Sequence, residues 1–398
     1  MNGPNKLTET YLPDKSARKE KIIVGLSGGM DSLVSAYLLK IQRYDLIGVT
    51  VVPAWDEIPG SNSSLFSCAL SEKNIEALSA FCHQLGIPHH VIRIPLEFRE
   101  VVVERWMARK AAGELPDQCW MCHELRMSFL HSKMKELGGK ILATGHFAKI
   151  YKTDADSFTY VQTSNDEIHD QSALLSRLPQ EILRDLMLPL SDLQKKEVIK
   201  LAENFGVNSS EGKIPPFKCF PEQESTINFL TTHIPQRFQK IGEMVSDTED
   251  RFPEHEGVIR YRKGEKLVET ADRKPLFFAR YSTNDTKILL KNPEWFLKSK
   301  IILRQCVVPA DAPWKIPFRA VLFKEGQFHE GWFFPKTLNS CLVELDAPVS
   351  LVEGETVSIF KKKGKNSRIL LTGLVIYVDE EIQDGETPNV QIHYDRDF

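Results

Sequence analysis

Apolar residues in the first half of the chain fall into two kinds of segment. Short unbroken apolar runs are typical of strands buried on both faces, whereas spacings of three and four predict helices. The strand-like runs lie at residues 21–26, 45–52, 90–94 and 140–144. Helical spacing covers residues 33–39 and 71–85, and Gly86 ends the second of these. Alternating strands and helices predict an α/β fold with a doubly wound parallel sheet, in which ligands bind at the carboxyl ends of the strands.

The periodicity changes beyond Leu230. Residues 226–244 have helical spacing, and from Gly257 onward short β-type runs dominate, namely VIRY, KILLK, IILRQCVV, RAVLF, CLVEL, VSIF and ILLTGLVIYV. Their even spacing, with Pro and Gly between them, predicts a β-barrel. We therefore expect a polar tail at 1–20, an α/β domain at 21–210, a small central domain with a cysteine loop at 211–300, and a C-terminal β-barrel at 301–398.

Composition narrows the class of protein. A chain of 398 residues with 42% hydrophobic content supports two or three domains, and no apolar run is long enough to span a membrane. Residues 1–20 lack the apolar segment of a signal peptide, and the seven cysteines are too scattered for a secreted disulfide framework, so we expect a cytoplasmic protein. The net charge of −3 means that any nucleic acid must be bound by local basic patches.

A Gly-rich turn lies between the first predicted strand and the first predicted helix. In SGGMDS, Gly28 and Gly29 allow backbone N–H groups to converge on an anion, and Ser27 and Ser32 add hydroxyl donors. Asp31 would repel phosphate unless a divalent cation lay between them. The turn therefore indicates a site for a nucleotide polyphosphate with Mg²⁺. It is neither a Walker A loop nor a GxGxxG turn, and the alternative is an ordinary strand–turn–helix connection.

Cysteines provide the second candidate chemistry. Cys119 and Cys122 form a CxxC pair after a Pro-containing segment, and Cys219 lies in a Pro-rich segment far along the chain. A CxxC pair alone could serve redox chemistry, bind a metal or arise by chance, and no second pair completes a zinc site. The two thiols could also cap a helix that begins near His123, and Cys219 could have no role. Cys68 and Cys82 fit small, packed side chains.

The Gly-rich turn resembles the PP-loop of the ATP pyrophosphatases, which cleave ATP to AMP and pyrophosphate by adenylating a substrate. Further blocks, ATGHFAK at 143–149, HDQS at 169–172 and KCF at 218–220, resemble the tRNA-specific 2-thiouridylases of the MnmA/TrmU family. The resemblance has good motifs over residues 21–230 and continues more loosely to 379. It implies a PP-loop (HUP-like) domain, a small central domain and a C-terminal barrel.

Site residues follow from this resemblance. The implied ATP-binding residues are Gly25, Leu26, Ser27, Gly28, Gly29, Met30, Asp31, Ser32, Val51, Val52 and Gly145. The implied RNA-binding residues are Asp117, Gln118, Cys119, His146, His169, Asp170, Gln171 and Arg319. Cys122, Cys219 and Asp31 are the implied catalytic residues. On local sequence alone, His146 could be a structural hydrogen-bonding residue and Asp170 or Ser172 a helix N-cap. The segment 195–206 resembles a family helix that we interpret as scaffold.

Two sulfur chemistries fit the three cysteines. In one, Cys219 carries a persulfide, and Cys122 assists sulfur release and forms a disulfide with Cys219. In the other, Cys119, Cys122 and Cys219 hold a [4Fe–4S] cluster with one iron open to sulfide, because four thiolates are the usual complement. The presence of Cys119, which the persulfide route does not need, tilts the expectation slightly towards the cluster.

The function implied is an ATP-dependent tRNA sulfurtransferase that makes 2-thiouridine at the wobble position. Its cofactors would be ATP, Mg²⁺ and, in the second chemistry, the cluster, and its partners tRNA and either a sulfur-donor protein or free sulfide. Basic stretches at 260–274 and 361–365 could contact the RNA backbone or simply be solvated hairpins. The rival interpretations are a PP-loop enzyme acting on another RNA or a small molecule, and an RNA-binding protein with vestigial catalysis.

Overall fold

The computed structural model describes residues 20–53, 70–116, 118–152, 159–207, 219–220, 224–248, 250–307, 316–324, 327–337, 339–364 and 367–377. Its α-helices are α1 (Met30–Ile41), α2 (Glu72–Gln84), α3 (Pro95–Phe98), α4 (Glu104–Ala111), α5 (Gln118–Glu136), α6 (Ser172–Leu175), α7 (Gln180–Asp185), α8 (Lys195–Asn204) and α9 (Glu224–His233). A π-helical turn (Arg99–Val103) joins α3 to α4, and 3₁₀ turns occur at Gln236–Phe238, Val258–Arg260 and Pro293–Phe296. No helix in these ranges is both long and apolar enough to cross a bilayer.

The strands comprise three main groups. The first half of the chain contains β1 (Lys21–Gly25), β2 (Asp45–Val52), β3 (His89–Arg93), β4 (Ile141–Ala143), β5 (Lys149–Lys152), β6 (Thr159–Gln162) and β7 (Leu186–Met187). A middle group contains β8 (Met244–Val245), β9 (Lys266–Glu269), β10 (Pro275–Ser282) and β11 (Lys287–Lys291). The last group contains β12 (Leu297–Val307), β13 (Phe318–Lys324), β14 (Gln327–Thr337), β15 (Ser340–Ser350), β16 (Thr356–Phe360) and β17 (Ile369–Tyr377).

A parallel sheet in the order β3-β2-β1-β4-β7 organises the first part. Successive residues of β1 point to opposite faces, so Ile22 and Val24 pack with α1, α2 and α8, whereas Ile23 packs with α5 and α7. These residues are fully buried, as expected for a strand covered by helices on both sides. The predicted doubly wound α/β sheet is confirmed, and β1 and β4 are neighbours whose carboxyl ends lie side by side.

Two segments differ from the prediction. The helix expected over 226–244 ends at His233, because Pro235 lacks an N–H donor and disfavours helical geometry at Ile234. The run at 258–261, expected to be a strand, begins with a 3₁₀ turn after Gly257, whose φ is 102°. Val258 in that turn is buried in an apolar cluster, so local β propensity is overridden by packing.

The β-rich half contains two separate sheets. β8, β11, β10 and β9 form a four-stranded sheet in that order, and β12-β15-β14-β13-β16-β17 close into a six-stranded barrel. The barrel closes because β17 pairs with both β16 and β12. Its interior is apolar, with Ile301, Leu322 and Val375 fully buried. The predicted C-terminal barrel is confirmed.

One apolar cluster joins the first domain to the four-stranded sheet. It contains Trp106 from α4, Cys122 from α5, Phe229 from α9 and Phe278 from β10, together with Cys219. Side chains far apart in sequence are therefore removed from water as one unit, which is the dominant favourable term in folding. This shared core fixes the position of the cysteine segment relative to the parallel sheet.

A partly buried ionic junction joins the four-stranded sheet to the barrel. The Nζ of Lys263 and the Nε of Arg280 each lie 3.6 Å from Oε2 of Glu353 in the turn before β16. The Lys263 side chain is only 10% exposed. Burial lowers the pKa of its ammonium, and the nearby Glu353 and Glu114 carboxylates oppose that shift. Lys263, part of the predicted basic stretch, thus contributes to an internal contact.

Replacing Lys263 with Ala should reduce the free energy of unfolding by about 3 kcal/mol, because it leaves the Glu353 carboxylate buried with less compensation. Lys266→Ala is the matched control, since Lys266 pairs with Glu269 on the exposed surface and should change stability little. Thermal and urea unfolding would measure both. Equal, small effects of the two variants would contradict a structural role for Lys263.

Candidate functional site

A cavity of about 810 Å³ lies at the carboxyl ends of the parallel strands. Its walls come from the turn after β1, the end of β2, one face of α2, the first turns of α5 and the segment after β4. Of the predicted ATP-binding residues, those that line it are Gly25, Leu26, Ser27, Gly28, Gly29, Asp31, Ser32, Val51 and Gly145. Met30 and Val52 are not among the lining residues. The volume lies within the range of small-molecule and cofactor sites.

The turn between β1 and α1 is held by its own serines. Gly28 has a φ of 83°, which favours glycine, and Gly29 is the N-cap of α1. The Ser32 hydroxyl donates to the Gly29 carbonyl at 2.8 Å and accepts from the Ser27 backbone N–H at 3.2 Å. The Ser27 hydroxyl accepts from the Gly29 N–H at 3.2 Å. These hydroxyls therefore shape the loop, and the positive end of the α1 dipole faces the cavity.

Asp31 is paired with a lysine that the sequence analysis interpreted as scaffold. The Nζ of Lys195, at the start of α8, lies 2.6 Å from Oδ1 and 2.7 Å from Oδ2 of Asp31. Both side chains are about one quarter exposed, at 26% and 29%. The carboxylate predicted to need a cation thus has one supplied by the protein. Asp31 and Lys195 are 164 residues apart in sequence and meet only in the folded chain, so the sequence analysis did not predict this pair.

Gly145 contacts the Gly-rich turn itself. A Cβ atom at this position would lie 2.7 Å from the Asp31 carbonyl carbon and 2.8 Å from the Ser32 backbone nitrogen. The clash is with backbone, which cannot move aside without shifting the loop. Glycine is therefore required here by the close approach of the β4 end to the start of α1.

The three predicted cysteines share this cavity. Cys119 and Cys122 lie in the first two turns of α5, which begins at Gln118 and not near His123 as considered for the helix-cap alternative. Cys119, Cys122 and Cys219 all line the cavity, and Cys122 and Cys219 also belong to the shared apolar cluster. The Gln118 side-chain amide donates to the Cys219 carbonyl oxygen at 3.3 Å.

Stacking also anchors the Cys219 segment. The Phe220 ring lies 3.8 Å from the Trp106 ring between centroids, with an interplanar angle of 16°. Phe220 has a φ of 58°, an uncommon backbone conformation for a non-glycine residue. Buried aromatic stacking supplies packing energy that holds this conformation. The sulfur of Cys219 is therefore presented from a fixed point in the cavity wall.

The spacing of the three thiols bears on whether they could hold a metal. Among the residues that the structure describes, no three His, Cys, Asp or Glu side chains are grouped closely enough to hold a metal ion. The three thiols share a cavity but do not form a ligand set in this conformation. The [4Fe–4S] hypothesis therefore requires the thiols to approach one another more closely.

Two histidines form a hydrogen-bonded pair in the cavity wall. The Nε2 atoms of His123 and His146 are 3.2 Å apart, and Nδ1 of His146 lies 2.9 Å from the Thr144 hydroxyl. Burial lowers the pKa of His146 to about 4. Burial is the main cause that lowers the pKa of His123 well below its usual value, and the neighbouring His146 and Arg126 lower it further. Both shifts favour neutral rings at physiological pH, so that in the pair one Nε2 donates a hydrogen bond and the other accepts it.

The predicted RNA-binding residues are divided between the cavity and other surfaces. Gln118, Cys119, His146 and Gln171 line the cavity, whereas His169 and Asp170 do not. Asp170 accepts hydrogen bonds from the Ser164 and Ser172 N–H groups, at 2.5 and 3.1 Å. Burial raises the pKa of Asp170, although these hydrogen bonds oppose the shift. Asp170 thus organises its own turn.

Two further RNA-binding predictions lie elsewhere. Asp117 falls outside the described residues, as do Cys68, Lys218 and the N-terminal tail. Arg319 lies on β13 of the barrel, where its guanidinium pairs with Asp346 at 2.6 Å and Glu330 at 3.2 Å. Its role in RNA binding stays a prediction.

Replacing Gly145 with Ala should weaken ATP binding by roughly 10-fold or more, because the added methyl displaces the backbone that forms the phosphate-binding turn. Gly138→Ala is the control: Gly138 follows α5, is not a lining residue of the cavity and has open space around its Cβ position, so the substitution strains only its own backbone, whose φ is 69°, and should leave ATP affinity unchanged. Titration of each purified variant with ATP would measure the effect. Equal affinities for the two variants would contradict the proposed steric requirement.

The lowered pKa of His146 predicts a dependence of stability on pH. Between pH 6.5 and about 4 the unfolded chain binds a proton that the folded site resists, so stability falls as pH falls through this window. His146→Gln should make the free energy of unfolding less dependent on pH in this range. Urea unfolding at a series of pH values measures the slope, and an unchanged slope would contradict the assignment.

Comparison with known proteins identifies the family. The family model described as "tRNA methyl transferase HUP domain" matches residues 20–220. The protein named "tRNA-specific 2-thiouridylase MnmA" from Streptococcus mutans is 33% identical over 249 residues, which are 62% of this chain and 64% of the relative. The protein of the same name from Clostridioides difficile is 28% identical over 287 residues, 72% of this chain and 78% of the relative.

Solved structures that match part of the chain are more distant in sequence. A 4-thiouridine synthetase in complex with RNA and ATP has 16% sequence identity and a TM-score of 0.34, covering 55% of this chain and 51% of its own. An NH3-dependent NAD synthetase from Campylobacter jejuni has 16% identity and a TM-score of 0.31, covering 60% of this chain and 93% of its own. Because the family model matches 201 of the 398 residues, from 20 to 220, the chain belongs to the family of the tRNA methyl transferase HUP domain, and its resemblance to the tRNA-specific 2-thiouridylases is confirmed.

Proposed function

We propose that this protein is an ATP-dependent tRNA sulfurtransferase that converts a uridine, at the wobble position, to 2-thiouridine. The observation that carries the proposal is that the phosphate-binding turn and the three cysteines line the same cavity of about 810 Å³. Adenylation and sulfur attack act on one carbon atom in succession, so ATP and thiol must reach the same base. The names of the curated relatives support the same substrate class.

Adenylation solves the leaving-group problem. The C2 oxygen of uridine would attack the α-phosphorus of ATP, releasing pyrophosphate, while the N3 proton is lost. The α1 N-terminus and the loop N–H groups would bind the phosphates, which restricts motion and stabilises developing negative charge. The apolar wall of the cavity, including Val51, Leu78 and Phe81, suits the adenine ring.

Asp31 is the residue that would hold Mg²⁺. A single carboxylate beside hydroxyl groups fits Mg²⁺, which often binds one or two carboxylates together with substrate phosphates. When bound, Mg²⁺ would offset the repulsion between Asp31 and the phosphates. Lys195 holds the Asp31 carboxylate at 2.6 Å and brings a positive charge to the phosphate side of the cavity. Both features suit cleavage between the α- and β-phosphates.

Sulfur transfer would use the cysteine side of the cavity. The terminal sulfur of a Cys219 persulfide attacks C2 and loses its proton, and AMP leaves with the former C2 oxygen, so that C2 is joined to Cys219 through two sulfur atoms. The Cys122 thiolate then attacks the Cys219 sulfur, which forms a disulfide and releases the thiolated base, and N3 of the base regains its proton. A sulfur-donor protein supplies the sulfur: the Cys219 thiolate attacks the terminal sulfur of the donor's own persulfide, and the donor's thiolate leaves. A thiol reductant then restores the cysteines, whereas free sulfide would serve as the sulfur source only in the cluster route. The membership of Cys122 and Cys219 in one apolar cluster supports this partnership.

The target base must leave its stack to reach this cavity, since C2 is otherwise inaccessible to both ATP and thiol. Gln118, His146 and Gln171 line the cavity and carry groups that could hydrogen-bond a base edge. The exposed members of the basic stretches, among them Arg262 and Lys274, would bind RNA phosphates without reading sequence. Lys263 is omitted from this surface because it lies in the ionic junction with Glu353.

The decisive experiment incubates purified protein with ATP, Mg²⁺, unmodified tRNA and a persulfide donor. AMP, pyrophosphate and 2-thiouridine should form together, the last detected by nucleoside mass spectrometry. Asp31→Ala should abolish pyrophosphate release, while Cys122→Ser and Cys219→Ser should abolish thiolation. Cys306→Ala, in the barrel core and outside the cavity, is the matched control and should stay active. ADP and phosphate as products would contradict the proposal.

Cys119→Ser separates the two sulfur chemistries. In the persulfide route, this variant keeps substantial activity because Cys119 forms no bond. In the cluster route, it loses activity together with iron measured after anaerobic purification. Iron-free wild-type protein with full activity would eliminate the cluster.

A further inference from the structure

Asp166 lies at the centre of a hydrogen-bond network that the proposed chemistry does not use directly. The residue is only 9% exposed. Its Oδ1 accepts from the backbone N–H groups of Ile168 and His169, at 3.2 and 3.1 Å, and lies 3.0 Å from Nδ1 of His169. Its Oδ2 accepts from the Lys195 backbone N–H at 2.7 Å. One carboxylate therefore joins an exposed turn to the first residue of α8.

Lys195 connects this network to the phosphate-binding turn. Its backbone is held by Asp166, and its Nζ is held by both carboxylate oxygens of Asp31 at 2.6 and 2.7 Å. The same ammonium lies 5.7 Å from the centre of the Phe147 ring. The Phe147 backbone N–H donates to the Gln171 side-chain oxygen at 3.0 Å. Both the backbone and the ammonium group of Lys195 are thus held in place. Little further side-chain entropy would therefore be lost when the ammonium interacts with a bound anion.

The charge state of Asp166 suits this role. Burial acts to raise the pKa of its carboxyl, but hydrogen bonds from the Lys195 and His169 backbones and from the His169 ring outweigh it, so the pKa lies below its usual value. An ionised carboxylate at the N-terminus of α8 is also favoured by the helix dipole. Its hydrogen bonds are charge-assisted and therefore stronger than neutral ones.

We propose that Asp166 is a positioning residue for ATP cleavage: it fixes the start of α8 so that the Lys195 ammonium is held on Asp31 at the phosphate-binding turn. The proposal rests on the proposed function for its kinetic consequences. Its structural part, that Asp166 controls the position of the Lys195 side chain, stands independently. Ile168, which is 89% exposed, lies in the turn held by the same carboxylate, so a ligand that moves this turn would act on Lys195.

The first test measures the chemical reactivity of the Lys195 amine and does not depend on catalysis. Trace acylation of amines, followed by mass spectrometry, compares the reactivity of Lys195 with that of its exposed neighbour Lys196. Asp166→Asn should raise the relative reactivity of Lys195, since the amide cannot accept from every N–H group. Asp192→Asn is the matched control, because Asp192 is a carboxylate in the same region that pairs with Lys149. Its backbone carbonyl accepts a hydrogen bond from the Asn165 side chain at 3.1 Å, which the substitution should not remove. Unchanged Lys195 reactivity in Asp166→Asn would overturn the proposal.

The second test is a double-mutant cycle on pyrophosphate release at saturating ATP and tRNA. Asp166→Asn should lower kcat by about 10-fold, as expected for loss of a charge-assisted hydrogen bond. In a Lys195→Met background the same change should cost less than about twofold, because Asp166 acts through Lys195. Additive losses would overturn the proposal, since they would indicate a general effect on folding. If the wild-type protein releases no pyrophosphate, the proposed function fails while the acylation result still decides the role of Asp166.

Discussion

The close approach of two backbone segments determines the geometry of the candidate site. Gly145, at the end of β4, lies against the carbonyl of Asp31 and the amide of Ser32 at the start of α1. The two segments meet because β1 and β4 are parallel neighbours, with Val24 opposite Ala143, so their carboxyl ends coincide. The pairing of β1 with β4 in the sheet is therefore sufficient to place the phosphate-binding turn next to Gly145.

Charge compensation follows from this placement. A carboxylate one residue into a helix benefits from the dipole, but it opposes the anion that the helix end would otherwise bind. Lys195, at the start of α8, offsets this conflict by pairing with both oxygens of Asp31. Because both side chains are partly exposed, the pair contributes little to the free energy of unfolding, and its main effect is to fix the orientation of the Asp31 carboxylate.

Sequence patterns predicted the features that depend on local order along the chain. The buried run Ile22–Val24, the turn at Gly28 and the helix after it are contiguous, so their physics is visible in sequence. The barrel was also predictable, because its strands have regular spacing. The grouping of Cys219 with Cys122, however, was known only from the family resemblance, since no local property of Pro-rich sequence brings a thiol back to α5.

The sequence patterns did not predict contacts between segments that are far apart along the chain. Lys195 was interpreted as scaffold because its segment resembles a family helix, and its partner Asp31 is 164 residues away in sequence. Lys263 was grouped with neighbouring basic residues, although its charge is directed inward to Glu353. The strand expected at Val258 became a turn because its side chain completes an apolar cluster. In each case tertiary packing decided what local propensity left open.

The shared apolar cluster also bears on how the chain can be divided. Trp106 and Cys122 from the first domain, Phe229 from α9 and Phe278 from the four-stranded sheet are buried against one another. Cutting the chain between residues 210 and 224 would expose the large apolar faces of both fragments. The nucleotide-binding domain and the central sheet therefore form one cooperative unit in unfolding. The barrel is coupled to the same unit, because Val321, Phe360 and Ile369 from its strands are buried in one cluster with Ile23 of the parallel sheet, so that removal of the barrel would expose the other face of that sheet.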